Sequence, residues 1–259
     1  MTARRTSLVV LLALAFPCAC RAQFHVRLTL EHATVLQFET ARAFVTLLND
    51  TAETVSTDAP IERQKLDLRL RVEDQDGHML PQRKEGDIGG EQRIPPSATR
   101  QFIESIDAWY DIVRTGRYRV TVEAFVGPAR FASRTLLLQV VPGLTLQSIE
   151  RQLPGYADRV RRYELRYWKR GKSEHLFLRV DEGGGAVNYG VFDLGHLLRV
   201  DPPTLTVDRD GTIKVVHQSG RACYTRSTFR SESDGVRFLD QTYHLPNGDP
   251  YPDDKRRRP

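Results

Sequence analysis

Apolar and polar residues alternate along several stretches of the chain with a period of two. Over residues 66–72 four aliphatic residues (Leu66, Leu68, Leu70, Val72) are separated by three charged ones. This period places the aliphatic side chains on one face of a β-strand and the charges on the other. Residues 118–124 repeat the pattern. Asp76-Gly77 follows the first stretch and predicts a tight reversal.

The first half of the chain is predicted to contain six or seven short strands. Besides the two alternating stretches, strands are expected at residues 24–30, 42–48, 99–106 and 136–141. No long stretch with a helical period lies among them. Many short strands separated by turn residues are typical of two sheets packed face to face. We therefore expect a β-sandwich over residues 23–142.

One segment of this half carries a resemblance to a known fold. Residues 115–122 (Thr-Gly-Arg-Tyr-Arg-Val-Thr-Val), preceded by Trp109-Tyr110, resemble the penultimate strand of immunoglobulin-like sandwiches, where a tyrosine bonds back to the preceding corner. Residues 49–51 (Asn-Asp-Thr) resemble the end of an early strand in exported modules of this kind. The resemblance implies an Ig-like or fibronectin-like sandwich of bacterial exported proteins over residues 24–141. It indicates no specific family and assigns no functional residue.

The second half is predicted to be an antiparallel meander. Val140-Val141-Pro142-Gly143 ends an apolar strand and places a domain boundary at residues 142–147. Glycine-containing turns then separate short strands as far as residue 246. The expected architecture of residues 147–246 is a small barrel or a single curled sheet, which makes the whole protein all-β. Residues 247–259 are expected to be a disordered basic tail.

The N-terminus has the pattern of an export signal. Arg4 and Arg5 precede an apolar run over residues 8–16, and Cys20-Arg21-Ala22 forms a small-residue cleavage site. Residues 1–22 are therefore predicted to be a signal peptide, and the mature protein is expected to be periplasmic or extracellular. Lipid anchoring through Cys18 or Cys20 is the alternative. No later apolar run reaches the roughly 18 residues that a membrane span needs, so no transmembrane segment is predicted.

Charge and cysteine content narrow the classes of partner. Removal of residues 1–22, which hold three arginines and no acid, lowers the formal net charge from +5 to +2. Four of the remaining positive charges are adjacent, at residues 255–258. A nearly neutral body offers no basic surface for a phosphate backbone, so a nucleic-acid partner is not expected. Cys223 is the single cysteine after residue 22, so no intramolecular disulfide can form there.

Histidine provides the one pattern that suggests a metal site. His175, His196 and His217 lie 21 residues apart, and Asp193 and His244 could complete a ligand set. The alternative is that these histidines are hydrogen-bonded residues at strand ends and edges. Because equal spacing along the chain does not bring side chains together, neither a metal nor another cofactor is predicted.

Sequence motifs for catalysis are missing, and catalytic residues stay unknown. The chain has no Gly-x-Ser-x-Gly, His-Glu-x-x-His or Cys-x-x-Cys motif. We therefore favour an exported, non-catalytic binding or structural module whose partner is a protein or glycan of the cell envelope. Exposed aromatic residues would mark its binding surface, and the candidates, with core packing as the alternative, are Trp109, Tyr110, Tyr167 and Trp168. The other hypothesis is an exported hydrolase or metal-binding protein with a site at the domain interface.

Overall fold

The structure is a computed structural model that describes residues 23–59, 65–183 and 187–252. These residues are almost entirely β, with one four-residue helix, α1 (Ile106–Trp109). Among them, no helix is long and apolar enough to cross a membrane. The predicted signal peptide and the basic residues 255–258 lie outside the described residues.

In the described part of the chain, eighteen strands build two units with separate apolar cores. The N-terminal unit contains β1 (Phe24–Leu30), β2 (Thr34–Leu36), β3 (Arg42–Asn49), β4 (Val55–Ser56), β5 (Leu66–Glu73), β6 (Arg93–Ile94), β7 (Ala98–Ser105), β8 (Gly116–Val126), β9 (Ala129–Ala132) and β10 (Leu136–Val141). The C-terminal unit contains β11 (Leu144–Leu153), β12 (Tyr156–Arg170), β13 (Ser173–Glu182), β14 (Asn188–His196), β15 (Thr204–Val207), β16 (Thr212–Gly220), β17 (Cys223–Glu232) and β18 (Gly235–His244).

Two sheets of the N-terminal unit enclose one core. Their strand orders are β1-β3-β7 and β2-β10-β8-β5, with β9 paired to β8 and a separate short pair β4-β6. The β2–β10 ladder is parallel, whereas β8 pairs antiparallel with both of its neighbours, β10 and β5. The predicted phase of β5 is confirmed, since Leu66, Leu68, Leu70 and Val72 are all at most 2% exposed. Gly77 has φ = 84°, the left-handed conformation that the predicted reversal after β5 requires.

The C-terminal unit contains two four-stranded meanders that face each other, where one small barrel or a single curled sheet was predicted. Strands β11 to β14 form one sheet and β15 to β18 the other, each in sequence order and antiparallel. Leu165 and Leu178 of the first sheet share a core with Val215 and Phe229 of the second. The segment between β14 and β15 crosses from one sheet to the other: the Leu197 N–H donates to the carbonyl of Glu174 in β13 at 2.7 Å, and the Leu198 N–H donates to that of Gln218 in β16 at 2.8 Å.

Glutamine side chains connect the edges of these two sheets. Gln147 of β11 reaches Leu205 of β15, donating from Nε2 to the carbonyl (3.4 Å) and accepting the amide N–H at Oε1 (3.1 Å). At the opposite edges, Gln241 of β18 donates from Nε2 to the carbonyl of Leu194 in β14 (3.2 Å). A primary amide carries the same donor and acceptor as a peptide unit. Gln147 therefore takes the place of a strand pairing at one edge, and Gln241 adds a single bond at the other, so that the two sheets form a curled half-barrel.

Part of the predicted disordered tail is ordered. The Leu245 N–H donates to the carbonyl of Asp249 at 2.7 Å, and the Tyr251 N–H donates to that of Tyr243 at 2.8 Å. These bonds return the chain along the end of β18, so residues 247–251 belong to a turn. The sequence of this segment, rich in proline, glycine and aspartate, is typical of turns as well as of disordered tails.

The burial of β5 predicts opposite effects for two adjacent substitutions. Leu68→Asp puts an unpaired carboxylate at a fully buried position, and we expect the free energy of unfolding to fall by at least about 3 kcal/mol. Arg69→Gln on the exposed face removes a solvent-screened ion pair with Asp67 and a cation–π contact with Phe125, so a loss of no more than about 1 kcal/mol is expected. Urea denaturation measures both values. Similar stability of the two variants would contradict the strand phase.

Candidate functional site

The candidate site lies where the two units meet, on the outer face of the β12–β13 hairpin. Tyr163 and Leu165 of β12 and Leu178 of β13 point into the core of the C-terminal unit. Alternation therefore turns the intervening residues to the opposite face. We call this the junction face, and its members are Arg162, Glu164, Arg166, Trp168 and Arg170 of β12 and His175, Phe177, Arg179 and Asp181 of β13.

An apolar contact anchors the N-terminal unit on this face. Leu36, Val141 and Phe177 form a buried cluster, against which Trp168 packs. At the connection between the units, Gly143 has φ = 68°, and a Cβ atom there would lie 2.8 Å from Leu36 Cδ2. Only glycine fits this position without displacing the contact. The two units therefore touch at a tight joint around Gly143.

Ion pairs surround the apolar contact. Within the junction face, Arg162 Nη2 lies 2.9 Å from Asp181 Oδ1, and Arg166 Nη2 lies 2.8 Å from Glu164 Oε2. Arg166 also donates to the carbonyl of Pro142, which belongs to the joint. The charged side chains of the junction face are therefore neutralised largely by one another. The part of this face that the N-terminal unit covers stays polar.

Arg170 carries the ion pair that joins the two units. Its Nη2 atom lies 2.5 Å from Glu39 Oε1 of the N-terminal unit, and its Nη1 atom lies 2.8 Å from Asp193 Oδ2 of β14. The side chains of Arg170 and Glu39 are only 14% and 11% exposed. Such a position is shielded from solvent screening, so each charge depends on its partner.

Arg179 and Asp181 are the most deeply buried charges of this face, at 6% and 0% exposure. Burial lowers the pKa of the Arg179 guanidinium, with the nearby Arg166 charge adding to the effect. Burial likewise raises the pKa of the Asp181 carboxyl, against the opposing effect of Arg179 and Arg162. The Arg179 Nε and Asp181 Oδ2 atoms are 2.9 Å apart, but the approach lacks hydrogen-bond geometry. Arg179 and Asp181 therefore form an ion pair without a hydrogen bond, and its strength depends on exclusion of solvent.

Phe38 covers Arg179 from the N-terminal unit. The Arg179 Cζ atom lies 4.5 Å from the centroid of the Phe38 ring, a cation–π contact. Phe38 has φ = 71°, a left-handed conformation that costs a bulky residue about 1–3 kcal/mol. The turn is held by Glu39, whose Oε2 atom accepts the Leu36 N–H at 2.8 Å. The strained turn places both side chains, Phe38 and Glu39, on the junction face.

A cleft of about 580 Å³ opens beside this turn. We call it the junction cleft, because both units line it. The N-terminal unit contributes Phe38, Glu39, Arg83, Asp107, Tyr110, Asp111, Ile112 and Val113, and the C-terminal unit contributes Val187 and Asn188. Its volume lies within the range of about 300–1,000 Å³ that is usual for sites of small ligands.

The polar groups of the cleft are only partly used by the protein. Asp107 Oδ1 accepts the Ala41 N–H at 2.9 Å, and Asp111 pairs with Arg83. Asn188 Oδ1 accepts the Gly190 N–H at 2.9 Å, whereas the buried Nδ2 of Asn188 has no hydrogen-bond partner. A buried amide N–H without a partner costs free energy.

The structure brings together two of the candidate metal ligands. His175 Nδ1 lies 3.1 Å from both carboxylate oxygens of Asp193 at the edge of the junction face. His196 is opposite His175 in the β13–β14 register, but its Nδ1 atom donates to the carbonyl of Ser219 at 2.9 Å. His244 bonds to Thr242 and to the carbonyl of Gly248.

His217 is a buried histidine inside the C-terminal unit. It is 1% exposed, its Nε2 atom donates to the carbonyl of His196 at 3.1 Å, and its Nδ1 atom has no partner. Burial lowers its pKa from 6.5 to about 4. A side chain whose charged form is so disfavoured stays neutral at ordinary pH.

A different group meets the geometric requirement for three ligands. Over the described ranges, the group of three side chains close enough to share a metal ion is Asp74, Asp76 and His78, in the exposed turn after β5. Asp74 Oδ1 accepts the N–H groups of both other residues, at 2.9 Å each. This turn geometry alone explains the cluster.

The four candidate aromatic residues lie in different surroundings. Trp109 and Tyr110 pack in the core of the N-terminal unit, at 4% and 1% exposure, and Tyr110 also lines the junction cleft. Trp109 Nε1 bonds to Glu104 and the Tyr110 hydroxyl to the carbonyl of Leu70. Tyr167 is half-buried and donates to Glu174 at 2.8 Å. Trp168 is half-buried at the joint between the units.

Sequence reasoning missed the cleft and the turn that forms it. Phe38, Glu39, Asp107 and Asp111 belong to no motif and come from segments 70 residues apart. The one available signal was the row of charged residues on alternate positions of β12, and that pattern is the same for a solvated face and for a buried one.

Comparison with known proteins adds little. No protein-family model matches the chain, and no curated protein sequence matches it. Among solved structures, the chain has a similarity to the sporulation control protein Spo0M from Bacillus subtilis, with 14% sequence identity and a TM-score of 0.28. The match covers 66% of this chain and 90% of the other. A similarity at this level supports no conclusion about fold or function.

The depressed pKa of His217 predicts a loss of stability in acid. The unfolded chain takes up a proton below about pH 6.5, whereas the folded protein resists protonation down to about pH 4. The free energy of unfolding should therefore fall as the pH is lowered between these values, by on the order of 3 kcal/mol.

The histidine contribution can be isolated by substitution. In His217→Gln, which keeps a donor for the His196 carbonyl, we expect a flatter dependence of urea-unfolding free energy on pH between about 6.5 and 4. His78→Gln in the exposed turn is the matched control. Identical slopes for the His217 variant and the parent would contradict the assignment.

Proposed function

We propose that this chain is an exported, non-catalytic module that binds its ligand in the junction cleft. The observation that carries the proposal is a cleft of about 580 Å³ lined by both units, beside a turn whose strained Phe38 is held against a buried arginine. Backbone strain of this kind is concentrated at ligand-binding and switch segments. Sites between two units are also a common location for ligands.

We infer in addition that the N-terminal unit is an Ig-like sandwich. The strand orders β1-β3-β7 and β2-β10-β8-β5, with β2 parallel to β10, support this inference. Tyr118 supports it further, because its hydroxyl donates to the carbonyl of Arg114 at 2.7 Å, the corner bond that the resemblance implies. The described residues lack the paired cysteines of antibody domains, since Cys223 is their free cysteine.

The sequence supports a location and a class of partner for this module. The leader-like residues 1–22 support export to the periplasm or beyond. A partner in that compartment would be a protein or glycan of the cell envelope.

The proposal is tested by filling the cleft. Val187 lines it and is 42% exposed, so Val187→Trp should occupy space in the cleft without disturbing a core. The measurement is a titration, followed by amide NMR shifts, with a defined library of N-acetyl amino-acid amides, monosaccharides and disaccharides. We expect ligands that shift cleft residues in the parent and lose at least about 90% of their affinity in the variant, a cost of about 1.4 kcal/mol.

Val200→Trp provides the control. Val200 is 75% exposed and lies outside the lining of the cleft, so the same added bulk should leave binding unchanged. Binding that maps to another surface, or that persists in Val187→Trp, would contradict the assignment of the site.

The second candidate is an exported hydrolase or metal-binding protein with a site at the domain interface. It is favoured by the His175–Asp193 pair at the edge of the junction face, since a carboxylate that orients a histidine is an arrangement used in general-base catalysis. Turnover of a chromogenic ester or glycoside that disappears in His175→Ala would favour this function over the binding module.

A further inference from the structure

We propose that the junction cleft binds a cationic side chain, the guanidinium of an arginine or the ammonium of a lysine, presented by a protein partner. The inference rests on the proposed function, because it assigns a ligand class to the same cleft. Three features of the cleft carry it: its charge, an arginine of the chain that already sits at its carboxylates, and the arrangement of its apolar wall.

The charge of the lining is negative. Three carboxylates, those of Glu39, Asp107 and Asp111, face one arginine, Arg83. Glu39 is neutralised from behind by Arg170 at 2.5 Å. The other two carboxylates exceed the single positive charge of Arg83, so a cation that enters the cleft restores neutrality, whereas an anion would be repelled.

Arg83 shows how a guanidinium fits this place. It pairs with the Asp111 carboxylate, and its Nη1 atom donates to the backbone carbonyl of Asp107 at 3.4 Å. Both partners of the ion pair are about half exposed, at 50% and 53%. Solvent screens such a pair strongly, so it holds Arg83 only weakly. A guanidinium or ammonium from a partner can therefore compete with Arg83 for the same carboxylate.

The Asp107 carboxylate is a second acceptor, and the described part of the protein uses only one of its two oxygens. Its Oδ1 atom accepts the Ala41 N–H at 2.9 Å, which fixes the carboxylate in place. Within the described ranges, Oδ2 of Asp107 has no hydrogen-bond partner. A fixed carboxylate with one free oxygen next to a second carboxylate suits the several N–H donors of a guanidinium.

The apolar residues that line the cleft suit the methylene part of an arginine or lysine side chain. Phe38, Ile112, Val113 and Val187 provide an apolar wall against which the methylene stem of an arginine or lysine can pack. A free metal ion would make no use of this apolar wall.

The inference is tested with a charged and a neutral probe of nearly the same shape, together with a sugar. N-acetylarginine amide is compared with N-acetylcitrulline amide, its neutral analogue of the same shape, and N-acetylglucosamine serves as the glycan probe. We expect the arginine probe to shift the amide resonances of Ile112, Val113, Val187 and Asn188 with at least about tenfold higher affinity than citrulline. Its affinity should fall as the salt concentration rises from about 0.02 to about 0.3 M.

Substitution of Arg83, which competes with the probe for the Asp111 carboxylate, gives the most specific test. In Arg83→Ala the arginine probe should bind about 3- to 10-fold more tightly, because the cleft loses its own cation. Arg100→Ala removes the same charge from the exposed edge strand β7 and should leave the affinity unchanged. Asp107→Asn keeps the acceptor for Ala41 but loses the charge, and it should weaken the probe. Arg83 and Arg100 are exposed, so neither variant is at risk of unfolding.

Each other outcome overturns the inference. Equal affinities for arginine and citrulline, or no gain in Arg83→Ala, would show that charge does not govern binding. N-acetylglucosamine bound in the cleft, with neither amide bound, would exclude a cationic ligand while leaving the cleft as the binding site. If none of the three probes shifts a cleft residue, the cationic ligand class is wrong, and the comparison of Val187→Trp with the parent decides the proposed function separately.

Discussion

The arrangement of the two units depends on the burial of charge at the junction face. Arg179 and Asp181 are almost inaccessible to solvent, and Arg170 needs the carboxylate of Glu39 from the other unit. Charges removed from water must keep their partners, because an unpaired buried charge costs several kcal/mol. Sliding or opening of the joint would break the Arg170–Glu39 pair and remove Phe38 from Arg179. The joint therefore favours one relative position, and the cleft exists only in that position.

The same constraint explains features that are unfavourable when taken alone. A left-handed Phe38 and a pair without hydrogen-bond geometry, Arg179–Asp181, both reduce stability locally. A well-packed apolar joint would be more stable, but it would accept many orientations of the two units. Ion pairs allow few orientations of the two units. We therefore interpret the ion pairs of the junction face as the interactions that fix this orientation, and the apolar contact of Leu36 with Phe177 as the one that holds the units together.

Local alternation made much of the fold predictable, and its limits are equally physical. Leu68 was assigned to a core face because an aliphatic residue between charges has one favourable orientation. Arg170 and Arg179 obey the same alternation, yet they contact Glu39 and Phe38 of a turn about 130 to 140 residues earlier, which no local pattern encodes. The β13–β14 register brings His175 and Asp193 together, whereas His217 points into the core. The equal spacing of the three histidines along the chain therefore does not bring them to one site.

The central claim is that paired buried charges fix the relative orientation of the two units, and a double-mutant cycle on Arg170 and Glu39 tests it most directly. The parent, Glu39→Ala, Arg170→Ala and the double variant are unfolded in urea under identical conditions. Because both side chains are largely shielded from solvent, we predict a coupling energy of at least about 1 kcal/mol that changes little in high salt. A coupling energy near zero, with the losses of the two single variants adding in the double variant, would contradict the account.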